Sequence, residues 1–206
     1  MPEGSISFSP APYHILSYGT LLGTQFFHTF VNSVTSFKVL DRPQFGILQR
    51  AVFPAYFGIQ TAAPVILALT YPGRAGRFLA LPQGISGVLH PTNRWGVLVP
   101  LTVAFVTGLT NLVYFLPATN KISAQRKQQG MSAFRLVDCI GADGSIHYLE
   151  TKDSSSKQRR DKTSQSKELK ALNKKFGKIH GYSTLFNLAT FVATVIYGVN
   201  LSARIE

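Results

Sequence analysis

YHILSYGTLLGTQFFHTFVNSVTSFKVL, residues 13–40, decides how this chain is read. The stretch is long enough to cross a bilayer, holds no acidic residue and meets its first cation only at Lys38. A line of polar side chains, Gln25, His28, Asn32 and Ser36, nevertheless runs along it. At about 100° per residue these fall on one helical face, while Leu22, Phe26, Phe27, Phe30, Val34 and Phe37 cover much of the rest. The pattern describes a membrane helix that keeps one face out of lipid.

Working outward, three more apolar runs lie near 51–71, 96–117 and 181–201. Each has roughly the 20 residues needed to span a hydrocarbon core about 30 Å thick. All nine acidic residues fall outside the four runs. The expected fold is therefore all-α, a four-helix transmembrane bundle. Its parts are a tail (1–12), helices one to three with their loops (13–117), a basic extramembrane loop (118–180), and helix four with the C-terminus (181–206). The long first apolar run, without a basic residue before it, reads as a signal anchor rather than a cleaved signal.

Local signals divide the spans. Asp41-Arg42-Pro43 should end the first helix, because proline disfavours helical geometry in the residue before it, and the second should begin between Gln44 and Phe53. Pro64, inside the second span, should free carbonyls near Gln60 and Thr61. Residues 72–95 carry the Pro and Gly of a loop, in which Phe78 to Leu81 is too short to cross and suits the interface. Asn111 in span three and Asn187 in span four each require a hydrogen-bond partner, since an unpaired amide in lipid is costly.

The net charge of +12 is concentrated. Fourteen of the 21 Lys and Arg residues lie in 121–178, beside a span, where anionic lipid headgroups are a better match than nucleic acid. Lys121 to Gln129 continues the helix of span three. Phe134 to Ile140 and Ser145 to Leu149 flank the turn residues Gly141-Ala142-Asp143-Gly144 and read as a small β-hairpin. Residues 151–166 are rich in Ser, Lys, Arg and Gln and read as flexible. From Ser166 an amphipathic helix follows, with Leu169, Leu172, Phe176 and Ile179 on one face and Lys167, Lys170, Lys174, Lys175 and Lys178 around them. It is expected to lie on an anionic bilayer before turning into span four at His180-Gly181; the alternative is a solvated helix packed on the hairpin.

The cation excess places the first and third loops in the cytosol and both termini on the opposite side. The endoplasmic reticulum or another endomembrane, or the plasma membrane, is the expected location. No catalytic constellation stands out. The spans carry no carboxylate for a proton relay or an acidic metal site, and Cys139 has no histidine placed to activate it. No metal ligand set and no cofactor is expected. His14 and His28 are spaced as in bis-haem membrane helices, but two haems would need four axial ligands and the other spans offer only His180, near one end. The candidate site is an intramembrane polar cluster of His14, Gln25, His28, Asn32, Asn111, His180 and Asn187.

Several of these residues stand in a familiar order. Gly23-Thr24-Gln25, Phe45-Gly46 with Gln49, Phe53-Pro54-Ala55-Tyr56-Phe57, Asn111 with Pro117, and His180-Gly181-Tyr182-Ser183 with Asn187 together resemble the transmembrane protein 205-like family, also described as a domain of unknown function. The resemblance implies a four-helix membrane protein of unsettled molecular activity. It lends weight to His14, Gln25, Asn111, His180 and Asn187, and none to His28 or the third loop, which looks like an insertion.

Three functions follow as expectations. The first is a non-catalytic membrane component that binds lipid and a protein partner, or its own copies, with the basic loop as docking surface. The second is a transporter or channel for a small solute along the Gln/His/Asn face. The third is a haem-binding redox protein.

Overall fold

The computed structural model describes residues 10–73, 82–138 and 167–203, with 130–138 as backbone only. All regular structure among these residues is helical. α1 (Ala11–Phe26) passes through a π-helical segment (Phe27–Asn32) into α2 (Ser33–Val39), one unbroken run. Leu40 and Asp41 are extended, and α3 (Arg42–Leu69) starts at once with Pro43 in its first turn. Proline suits that position because its missing N–H has no helical partner there, so the second helix begins earlier than the 44–53 expected.

Past Thr70 the chain turns, with the Gly84 amide donating to the Tyr71 carbonyl at 2.9 Å. Gly84 has φ +65°, and the short α4 (Gly84–Val88) follows. The buried Asn93 amide donates to the Gly87 carbonyl at 2.7 Å and closes this corner. The third run is a 3-10 turn (Pro91–Asn93), a π-helical segment (Arg94–Leu98), α5 (Val99–Thr110), a second π-helical segment (Asn111–Phe115) and α6 (Leu116–Asp138). The last is α7 (Lys167–Ser202).

Among the described residues, three helices are long and apolar enough to cross a membrane: Arg42–Leu69, Pro91–Gln129 and Lys167–Ser202. The first run is not among them, and its polar line is the reason. Its phenylalanines nevertheless point outward, Phe26, Phe27, Phe30 and Phe37 all being exposed while Gln25 and His28 are buried. The other helices repeat the inversion, exposing Val65, Ile66, Val106, Val113, Leu185 and Val192 and burying Gln60, Asn111, Thr190 and Thr194. Apolar outside and polar inside is the arrangement of a membrane protein.

Neighbouring runs pack antiparallel. His14 meets Thr70 while the His28 ring lies on Tyr56, which fixes the register of α1 on α3. Gly108 brings α5 against the Gln60 backbone, and Thr107 meets Thr190 between α5 and α7. An apolar core of Leu21, Ala63, Leu67, Val97, Leu101 and Leu201 fills the end nearest α4.

Two expectations for the third loop change. α6 stays helical to Asp138, through Phe134–Asp138, where the first arm of a hairpin was expected; the rest of that hairpin, Cys139 and the tract 151–166 lie outside the described residues, as do 1–9 and Phe78 to Leu81. There is also no corner at His180-Gly181. α7 is one helix of 36 residues, about 54 Å at 1.5 Å per residue, so its first turns extend the span instead of lying flat. The reason is α6, which offers Leu169, Leu172, Phe176 and Ile179 a protein surface: all four are half-buried, Arg126 sits 4.5 Å over the Phe176 ring, and Gln129 donates to Glu168 at 3.1 Å.

Candidate functional site

The predicted polar residues separate into three places. At the α4 end, fully buried His14 bridges α3 and α7, with Nδ1 3.0 Å from the Thr70 hydroxyl and Nε2 2.6 Å from the Tyr197 hydroxyl. Thr70 already donates its proton to the Ile66 carbonyl at 2.7 Å. Nδ1–H therefore donates to Thr70, and Nε2 accepts from Tyr197. Both ring nitrogens are engaged, which leaves His14 no electron pair for a haem iron.

The second place is a layer to which every helical run contributes. Asn187 Oδ1 accepts from the Tyr56 hydroxyl at 2.8 Å and from Gln60 Nε2 at 2.7 Å, and its amide nitrogen lies 3.5 Å from the Thr29 hydroxyl. Asn111 Oδ1 accepts from Ser183 at 2.8 Å. His28 pairs within its own run: Ser36 donates to Asn32 Oδ1 at 3.2 Å, which turns the Asn32 amide nitrogen toward His28 Nδ1 at 3.1 Å. The His28 proton then sits on Nε2. Its ring lies against Tyr56, tilted by 36° with centroids 4.2 Å apart, and meets Phe53 edge-on.

Backbone irregularity collects at this level. Two of the three π-helical segments among the described residues, Phe27–Asn32 and Asn111–Phe115, hold His28, Thr29 and Asn111, and Pro64 removes the helical donor from the Gln60 carbonyl. The layer is also incompletely paired. Both amide atoms of Gln25, His28 Nε2, Gln60 Oε1 and Asn111 Nδ2 are buried without a hydrogen-bond partner in the protein, as are both amide atoms of Gln49 further along α3.

The third place is the paired extension of α6 and α7. His180 belongs here and not to the layer: it is exposed and stacks on Phe176 at 5.6 Å. Lys121, Lys127, Lys167, Lys170, Lys174, Lys175 and Lys178 are exposed and Arg126 half-buried, against a single carboxylate, Glu168, on 117–129 and 167–180. Among the described residues no group of three His, Cys, Asp or Glu side chains could hold a metal ion.

Sequence reading missed Gln60 and Tyr56 as members of the layer and Tyr197 as the partner of His14. Gln60 carried the same signal as Asn111, an amide inside an apolar span. It passed as a neighbour of the Pro64 kink. Tyr56 sits among the aromatics that open the second span and suit the headgroup interface, and Tyr197 carries no signal beyond its place in span four.

A family model described as a domain of unknown function, DUF4149, matches residues 16–128. The chain is also similar to "Xanthocillin biosynthesis cluster protein D" of Aspergillus fumigatus, with 30% identity over 194 residues, 94% of this chain and 90% of the relative. No solved structure matches.

Proposed function

Because the chain belongs to the DUF4149 family, whose function is unknown, its role must come from its own chemistry, and we propose a four-pass, non-catalytic membrane component that docks anionic partners on a basic two-helix extension. The observation that carries this reading is the paired stretch 117–129 and 167–180 of α6 and α7, with eight cations against one carboxylate on a stem continuous with two spans. Lipid phosphates are the first partners reached, because Lys174, Lys175 and Lys178 follow within about two turns of the apolar part of α7. A protein or a second copy of the chain with an acidic face would meet the outer lysines.

The fourth crossing is the run Ala11–Val39, supported by its outward phenylalanines and buried polar line. The basic ends then lie in the cytosol and the α4 corner on the opposite side with both termini, in an endomembrane such as the endoplasmic reticulum or in the plasma membrane. The transmembrane protein 205-like reading draws support from position: most of its motif residues, from Gly23 to Pro117, lie within the matched 16–128. A relative named for a biosynthesis cluster suits an accessory role beside enzymes.

The test is lipid retention. Protein purified from bilayers of equal phosphatidylserine and phosphatidylcholine should carry a several-fold excess of the anionic lipid by native mass spectrometry, at about 1 kcal/mol per lysine near the surface. Changing Lys167, Lys170, Lys174, Lys175 and Lys178 together to Gln should abolish the excess. Equal retention by both proteins would refute the docking role.

A further inference from the structure

We infer that the layer at Gln25, His28, Gln60 and Asn111 is a binding site for a small uncharged molecule that both donates and accepts hydrogen bonds, of simple amide or alcohol type. The first ground is burial without pairing. Gln25, Gln60 and Asn111 are each 0% exposed and His28 5%, yet together they present five polar atoms with no protein partner. A buried polar atom left unpaired forfeits the hydrogen bonds it had in water and gains nothing in return.

The second ground is convergence. The register set by His14 on Thr70 and His28 on Tyr56 brings Gln25 level with Gln60, whose backbone touches Gly108, one turn before Asn111. The unpaired atoms thus come from α1, α3 and the third run at one height. Gln60 Nε2, held by Asn187, and the Tyr56 hydroxyl fix the far side, so the Gln60 carbonyl oxygen has a defined direction.

The third ground decides the ligand class. The described stretches 13–37, 51–73, 95–120 and 179–203 contain no Asp, Glu, Lys or Arg. An ion entering the layer would lose its hydration with no opposite charge to meet it. What the layer offers is neutral and two-sided: amide N–H from Gln25 and Asn111 and ring N–H from His28, against amide oxygens of Gln25 and Gln60. Carboxamides and small alcohols match both halves. This site is independent of the lysine surface and survives the failure of that reading.

The probe is trifluoroacetamide, followed by its fluorine NMR linewidth over protein in nanodiscs and over nanodiscs without protein. Wild type is expected to broaden the line, and unlabelled acetamide to reverse the broadening. Gln25→Leu and Gln60→Leu should each weaken the effect about tenfold, while Gln49→Leu, at another height, leaves it unchanged. Gln25→Leu should also unfold at or above the wild-type temperature, since it removes two buried atoms that the protein does not satisfy. A merely structural Gln25 would give a lower temperature. Absence of acetamide-reversible broadening in wild type overturns the proposal, as does equal broadening by the Gln25 and Gln49 variants.

Discussion

A methyl group at position 108 would sit 3.0 Å from the Gln60 carbonyl oxygen and 3.1 Å from its carbon, both backbone atoms of a packed helix. Gly108→Ala should therefore push α3 from α5 and destabilise by about 1–3 kcal/mol, seen as a lower Tm in detergent. Gly58, on α3 with nothing within 4 Å of its methyl position, gives the opposite sign: Gly58→Ala should stabilise by up to about 1 kcal/mol. At Asn187 the side chain holds three partners from two helices. Asn187→Leu removes the acceptor of the Tyr56 O–H and of one Gln60 N–H, leaving only the bond between those two side chains, and should cost about 1–3 kcal/mol. A double-mutant cycle with Gln60→Leu should recover part of that loss, because the second change removes a group the first leaves unsatisfied.

Among the elements, the first run was legible residue by residue: Gln25 and His28 are buried, Asn32 and Ser36 half-buried, and Phe26, Phe27 and Phe30 exposed, as a period of 3.6 requires. The N-terminal half of α7 was legible only as amphipathic. A pattern of Leu169, Leu172, Phe176 and Ile179 states that a face is covered, and lipid or α6 would produce it equally. The choice depends on α6, a contact distant in sequence. For the same reason Asn111 and Asn187 could be marked as amides in want of partners, but not matched to Ser183 and to Tyr56 and Gln60. The α6–α7 pairing makes a prediction of its own. Lys174 and Lys175 sit inside continuous helix and should resist trypsin, whereas Gly177→Pro, which removes an interior helical donor, should open both to cleavage and be read as a new fragment on a gel.

For the whole molecule, the inverted surface accounts for how a 206-residue chain whose apolar runs 51–73, 95–120 and 179–203 hold no charge stays together: lipid covers the apolar exterior, and hydrogen bonds and small residues join the runs. The proposed topology, with the cation-rich ends in the cytosol, can be tested by labelling. With Cys139 replaced by Ser, single cysteines at Lys38 and Lys170 should label from the cytosolic side with a membrane-impermeant maleimide, and one at Arg94 only from the other side. Labelling of all three from one side would contradict a four-crossing path.

α7 is pinned at its far end, where Gly198 admits the Tyr18 hydroxyl and the Asn200 side chain fills the space over Gly96. About 16 Å from that fulcrum stands Asn187, and about 46 Å from it stands Lys167, along one unbroken rod. The rod is a lever with an arm ratio near three. A sideways push of about 3 Å on the lysine end moves Asn187 by about 1 Å, which is enough to stretch its 2.7 Å and 2.8 Å bonds beyond hydrogen-bonding length. A rigid tilt of α7 about that end would therefore register first at Lys167 and, about three times smaller, at the bonds of Asn187.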